Sequence, residues 1–328
     1  MTLNFTRRVA LTIATAAATS IALPAFADDD WKPNKPIEMV IMAGQGGGAD
    51  RLARLFQSII QKENLASMPV LPVNKGGGSG AEALRYLKDK EGDSHVIMAT
   101  LNSYYTTPIR TDIGVDIEEF TPLARMALDT FVLWVNADSD IYTLEDYVAA
   151  VNASGGAWKM GGTGTGQEDS LVTAMLEKEF GIKHTYVPFN GGGTVAKNLV
   201  GGHIDSTVNN PSEAMGFWQA GKVRPIAAFT PERLAVFPDV PTATELGHES
   251  LVYWMQRSFV GPKDMPAEAV AYYTAMFEGL AQTEEWQTYT QEKALMADFL
   301  TGDALQAYFL EERDKHAAIL QEMEGTGS

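Results

Sequence analysis

Glycine, hydroxyl and amide residues, clustered in short stretches, are the parts of this chain best equipped for chemistry. Three stretches stand out: Gly44-Gln45-Gly46-Gly47-Gly48-Ala49-Asp50, Gly161-Gly162-Thr163-Gly164-Thr165-Gly166 and Asn190-Gly191-Gly192-Gly193-Thr194. Each lies between a strand-like run and a helix-like run. A fourth, Asn74-Lys75-Gly76-Gly77-Gly78-Ser79-Gly80, follows the second strand-like run. Glycine lets backbone approach a ligand closely, and bare N–H groups at a helix N-terminus attract an anion. Two loops in the first half and two in the middle predict two half-sites facing one small anionic ligand.

Within those loops, the N–H groups of Gly47, Gly48, Gly164, Thr165 and Gly166 are the expected anion donors. Thr163 and Thr165 add hydroxyls that can donate to a carboxylate. Asp50 belongs to the first loop, with helix capping as its more ordinary role. Thr100, Asn102 and Ser103 follow the third strand-like run, where parallel sheets bind ligands. They can orient a carboxylate, and Tyr104 or Tyr105 can cover it or simply pack. Asn190 and Asn209 end two later strands and are polar without charge. Glu168 and Asp169 fall in the first turn of a helix, where interaction with the helix dipole is the ordinary role. The sharper role, for Glu168 first, is accepting a hydrogen bond from a ligand hydroxyl or amine. Two carboxylates there oppose a bare anion unless a donor or cation lies between them.

Other chemistries find less support. Gly44-x-Gly46-x-x-Ala49 mimics a dinucleotide fingerprint. The second strand, however, ends in Asn74-Lys75 rather than the acid that holds a ribose. The five histidines (His95, His184, His203, His248, His316) show no metal spacing. There is no G-x-S-x-G elbow and no cysteine. No catalytic residue, cofactor or metal is therefore expected. A hydrolytic triad assembled from distant positions is the alternative.

The elements that must position these loops alternate. Strand-like runs at 37–42, 70–73 and 95–99 enclose helical runs at 51–60 and 81–87, a βαβαβ order that implies a parallel sheet. Leu52, Leu55, Phe56 and Ile59 share one face of the first helix. The middle repeats the theme: strands at 131–135, 158–160, 184–187, 204–208 and 223–228, with helices at 168–180, 195–200 and 213–220. Thr143-Leu144-Glu145-Asp146 starts another helix that Gly155-Gly156 ends. After a strand at 258–260 the chain reads as mostly helical, with a frayed tail at 323–328.

The N-terminus reads as an export signal. Arg7 and Arg8 precede a small apolar run to Leu23, and Ala25-Phe26-Ala27 is a small-x-small cleavage site. Removing the first 27 of 328 residues, which carry two arginines and no acid, leaves 301 residues with a formal charge of −19. That charge argues against nucleic acid or an anionic membrane as partner. With no cysteine in an oxidising compartment, the hydrophobic core must hold the fold.

Taken in order, several blocks resemble the periplasmic solute-binding receptors of tripartite tricarboxylate transporters. They are Trp31-x-Pro33-x-Lys35-Pro36-Ile37, Gly46-Gly47-Gly48-Ala49-Asp50-x-x-Ala53-Arg54, and Asn74 to Gly80. Further on come Tyr186-Val187-Pro188-Phe189-Asn190-Gly191-Gly192-Gly193, Leu199-Val200-Gly201-Gly202-His203-Ile204-Asp205, Ala220-Gly221-Lys222-Val223-Arg224 and Pro238-Asp239-Val240-Pro241-Thr242-x-x-Glu245-Leu246-Gly247. The resemblance implies an α/β, type II periplasmic-binding-protein fold, with two lobes joined by a hinge around a ligand cleft. Lobe 1 is expected at 28–128 and 229–328, lobe 2 at 129–228, and the signal peptide at 1–27, cleaved after Ala27. It implies a monomeric, non-enzymatic periplasmic receptor that delivers a small carboxylate to integral-membrane transporter subunits. A purely sensory receptor docking on a membrane kinase is a further reading. The chain departs from the family at Gln167, Glu168 and Asp169, where many members carry small hydroxylated residues. It departs again at Asn209, a common acid position.

Overall fold

The computed structural model describes residues 31–325, with side chains described to residue 321. The expected signal peptide and the last three residues lie outside the described residues.

In chain order the elements are β1 (Ile37–Ile41), α1 (Gly48–Lys62), β2 (Val70–Asn74), α2 (Ala81–Lys88), β3 (Val96–Thr100), α3 (Ser103–Arg110), β4 (Thr121–Thr130), β5 (Val132–Asn136) and α4 (Leu144–Ala153). They continue with β6 (Lys159–Gly162), α5 (Glu168–Phe180), β7 (Thr185–Pro188), α6 (Gly192–Val200), β8 (Ser206–Asn209), α7 (Pro211–Gln219) and β9 (Val223–Ala228). The chain closes with β10 (Trp254–Gly261), α8 (Ala267–Ala281), α9 (Glu284–Glu292), β11 (Met296–Leu300) and α10 (Gly302–Gly325).

Two sheets form. One has the order β11-β4-β10-β3-β1-β2, the other β7-β6-β8-β5-β9. β1 runs parallel to β2 and β3, as the βαβαβ pattern predicts. In the second sheet β6 runs parallel to β7 and β8, while β5 is antiparallel to β8 and β9. Only Phe131 separates β4 of the first sheet from β5 of the second, and the chain returns between β9 and β10. Pro72 is accommodated because β2 is an edge strand, where a missing N–H breaks no inner ladder.

α1 shows why these residues make this layer. Ala49, Leu52, Ala53, Phe56, Ile59 and Ile60 are buried, a three-and-four spacing that puts one apolar stripe against the six-stranded sheet. Phe56 stacks on Phe259 of β10 and meets Trp286 of α9 edge-on, with ring centroids 5.4 and 5.0 Å apart. Each such aromatic pair contributes roughly 0.5–1.5 kcal/mol beyond its buried area. In the other half, Thr143 accepts from the Asp146 N–H while the Asp146 side chain accepts from the Thr143 N–H. This is the predicted capping box. α5 ends at Gly181, whose left-handed φ of 62° suits glycine.

Three elements differ from expectation. The polar stretch after the third strand, for which no helix is expected, is helix α3 from Ser103 onward, with Tyr104 and Tyr105 fully buried. Neither tyrosine covers a ligand; the Tyr104 hydroxyl donates to the Ile117 carbonyl. The ten-residue β4 and the short β11 also went unpredicted.

Candidate functional site

A cleft of about 330 Å³ lies between the two sheets. From the six-stranded half it is lined by the β1–α1 loop, the β2–α2 loop, Leu101, Met255 and Arg257. From the five-stranded half come the β6–α5 loop, Phe189 to Gly192, Asn210 and Glu213. All four glycine stretches therefore meet at one place. The approach is close: a Cβ on Gly44 would collide with the Asn190 carbonyl, and one on Gly193 would lie 2.7 Å from the Gly46 carbonyl oxygen. Glycine here permits backbone from the two sheets to touch.

Of the predicted residues, Gly47, Gly48, Thr163, Gly164, Glu168 and Asn190 line the cleft. The others do not. Asp50 is buried in a clamp of its own, accepting from the Gly46 N–H, Arg54 Nε and Asn74 Nδ2. Burial works against its charge, but these donors hold its carboxyl below the usual range. Thr100 exchanges hydrogen bonds with Gln256 and donates to the Ser258 carbonyl. Asn102 is saturated by Tyr253, the Trp254 carbonyl and the Gln256 N–H. Asn209 donates to the Gly192 carbonyl and accepts from the Asn210 N–H. These side chains brace the loops rather than face the cleft. Thr165 presents its carbonyl to Arg110, and the Gly166 N–H donates to Ser170 Oγ. Ser103 contributes its N–H, while its buried hydroxyl has no partner.

The expected free N–H donors are largely occupied. Glu213 Oε1 accepts from the Gly48 N–H at 2.6 Å, across the cleft from α7 to the start of α1. Glu168 Oε1 accepts from the Ser103 N–H at 2.6 Å, from α5 to the start of α3. Asp169 Oδ2 takes the Thr163 N–H at 2.8 Å and Gln167 Oε1 the Gly164 N–H at 2.7 Å. Both glutamates thus sit where helix N-termini of the six-stranded half offer an anion site. Among the described residues, the N–H groups of Gly47, Gly76 and Gly191, all on the cleft wall, have no partner.

Sequence reasoning missed Arg257 and Glu213, and did not count Gln167, Asp169 or Asn210 among the ligand residues although it singled them out. Among the described residues, Arg257 is the one basic side chain in the cleft wall. Its Nε and Nη2 donate to Asp129 Oδ2 at 3.1 and 2.5 Å, and Nη2 reaches Asn210 Oδ1 at 3.3 Å. Burial opposes its charge, and the Asp129 carboxylate more than offsets that, so the guanidinium stays protonated. Three acids share the wall. Burial, with Glu168 adjacent, pushes the Asp169 carboxyl up to about 7 against the pull of the Thr163 N–H. Burial, with Asp169 facing it, pushes Glu213 up to about 7 against the pull of Arg257 and the Gly48 N–H. Burial raises Glu168 as well. Two of the histidines pack instead of ligating: the buried His184 ring bonds the Tyr147 hydroxyl, and the His95 ring packs on Trp31.

A family model described as the tripartite tricarboxylate transporter family receptor matches residues 52–324. The chain belongs to that family. It is 30% identical over 245 residues to the UPF0065 protein in the gbd 5′ region of Cupriavidus necator, covering 74% of each chain. Its fold is that of the periplasmic binding protein BugD, with a TM-score of 0.83 at 19% identity, covering 89% of this chain and 98% of that one. It is also that of MatC from Rhodopseudomonas palustris with bound malate, with a TM-score of 0.80 at 20% identity, covering 88% and 99%. The type II binding-protein architecture and a receptor rather than an enzyme are thereby established. Among the described residues no helix is long and apolar enough to cross a membrane.

Proposed function

We propose that this protein is an extracytoplasmic receptor that captures a small carboxylate-bearing solute and delivers it to integral-membrane transporter subunits. The observation that carries this reading is the cleft itself. Loops from both sheets close on about 330 Å³, and on its wall the N–H groups of Gly47, Gly76 and Gly191 have no acceptor among the described residues. Membership of a transporter-receptor family and the malate bound to MatC support the ligand class and the delivery role. The two halves, about 31–130 with 229–325 and 132–228, act as lobes, with the crossings at Phe131 and between β9 and β10 as the hinge. Closure excludes water, which strengthens each N–H to carboxylate bond. Export with cleavage after Ala27 and monomeric action complete the reading.

A thermal-shift screen of mono-, di- and tricarboxylates tests it. A one-site ligand at about 100 times its Kd should stabilise the protein by roughly 2.7 kcal/mol and be recovered chemically unchanged. Stabilisation by no carboxylate in the screen would remove the ligand class. Turnover of a stabilising compound would replace the receptor with an enzyme.

A further inference from the structure

Two arginines bridge the halves of the molecule without lining the cleft between them. Arg110, the last residue of α3, donates from Nη1 to the Thr165 carbonyl at 2.8 Å. Arg51, in the first turn of α1, donates from Nη1 to the carbonyl of Ser212, in the first turn of α7. Both side chains start in the six-stranded half and end in the five-stranded half.

Each arginine has a seat as well as an acceptor. The Arg110 guanidinium lies so close to Gly166 that a Cβ there would fall 1.4 Å from Nη1. Gly166 is also left-handed, with a φ of 81°, which suits glycine. A Cβ on Gly193 would lie 3.5 Å from Arg51 Nη2. Two glycines of the loops that build the cleft thus lie beneath guanidinium groups on its outside. The Thr165 carbonyl takes a further donor from the six-stranded half, Ser79 Oγ at 3.4 Å. The Ser79 carbonyl in turn accepts from Thr107 Oγ1 at 2.7 Å. α3 therefore reaches Thr165 twice, directly through Arg110 and indirectly through Thr107 and Ser79. A guanidinium only donates, and an ionised donor makes a stronger bond than a neutral one. Both arginine bonds run from protein to protein and need no solute to form.

We propose that Arg51 and Arg110 are latches that hold the receptor closed before a solute arrives. They are positioning residues, which act by fixing one half against the other. The inference rests on the two halves acting as hinged lobes and is independent of which carboxylate binds. A receptor latched in this way must unlatch to admit its solute. The arginines therefore set how fast the cleft exchanges its contents, not what it selects.

Spin labels test the proposal in the purified mature protein. The chain has no cysteine, so two introduced cysteines are the only labelled positions. Glu278→Cys on α8 and Asn152→Cys on α4 place one label at an exposed position of each half. The separation between them is read by pulsed dipolar spectroscopy after the protein has been unfolded, washed free of small molecules and refolded. The labelled parent should sit mainly at the separation found in this structure. Arg51→Met together with Arg110→Met should lower the population at that separation about threefold or more, with the circular dichroism of the fold retained. Should the paired variant not fold, Arg110→Met alone, at an exposed helix end, is read in the same way. A parent that sits mainly at another separation overturns the inference. So does a variant that keeps the parent's distribution, and adding Glu168→Ala and Glu213→Ala to it then separates the causes. If that variant opens, the carboxylates hold the lobes and the latch alone fails. If it stays closed, the halves do not act as lobes, and the hinged receptor fails together with the latch.

Discussion

Arg257 joins the stability of the first sheet to the charge of the cleft. It lies on β10 and Asp129 on neighbouring β4, and both are buried. Replacing it with methionine, of comparable length and apolar, leaves Asp129 with the Thr130 N–H but no counter-charge, and Glu213 without the positive charge facing it. Breaking one side of a buried pair typically costs about 3–5 kcal/mol. Urea unfolding of Arg257→Met should show a loss of that order at pH 7, and a loss under about 1 kcal/mol would mean the pair is not holding the sheet. Asp169 and Glu213 give a pH signature. Unfolded, these carboxyls release protons near pH 4; folded, they hold them up to about 7. Across that window the folded state binds more protons than the unfolded one, so these groups lower stability as pH rises from about 4 to 7. The double variant Asp169→Asn, Glu213→Gln should therefore gain on the wild type over that interval, and parallel curves would refute the assignment. Neither Glu213 nor Arg257 was legible as a site residue. Glu213 reads as an ordinary acid in the first turn of a helix after Pro211, and Arg257 as the middle of a polar Gln256-Arg257-Ser258 triplet between apolar residues. Their role exists only once two sheets face each other. The glycine stretches were legible because loop geometry is a local requirement.

At the scale of elements, two helices of the five-stranded half are tied to two of the six-stranded half by single carboxylates. Glu213 joins α7 to α1, and Glu168 joins α5 to α3. Each bond is charge-assisted and placed on a helix N-terminus, so each resists opening of the cleft. Amide hydrogen exchange of the ligand-free protein should show Gly48 and Ser103 protected. Glu213→Ala should expose Gly48 alone and Glu168→Ala Ser103 alone, each with exchange faster by about tenfold or more, as loss of a bond to a charged group predicts. Unchanged exchange in both variants would show that the halves are held by other contacts. The misread elements have physical reasons. β4 is rich in Leu, Ala and Met, residues with no preference for strands. It becomes one because β10 and β11 flank it on both sides. α3 holds Tyr, Thr and Pro108, poor helix formers, yet it is buried against α10 and α2. Its tertiary setting, absent from any local window, decided the conformation. Where a local signal sufficed, as in the Thr143 capping box or the α5 span of Glu168–Phe180, expectation and structure agree.

Charge acts over the whole molecule as well as in the cleft. The full chain carries a formal −17, and acids outnumber bases 42 to 25. Such a field repels an approaching anion before any loop contact forms, and salt weakens that repulsion by shortening the Debye length from about 30 Å at 0.01 M to about 8 Å at 0.15 M. Two cations near the cleft are neutralised, Arg257 by Asp129 and Arg54 by Asp50, which leaves Arg51 and Arg110, each on a carbonyl, against the excess of acids. The net field, rather than a local basic funnel, should set the encounter rate. Stopped-flow association of succinate, if it binds, should then accelerate several-fold between those two salt concentrations. A solute with no net charge, such as 4-aminobutanoate or glycine betaine, should associate at a rate that salt leaves flat, since its two charges cancel beyond a few ångströms. Dissociation should change less than association in either case, because contacts formed inside a closed cleft are screened little. A succinate association rate that falls with added salt would reveal an attractive basic funnel instead.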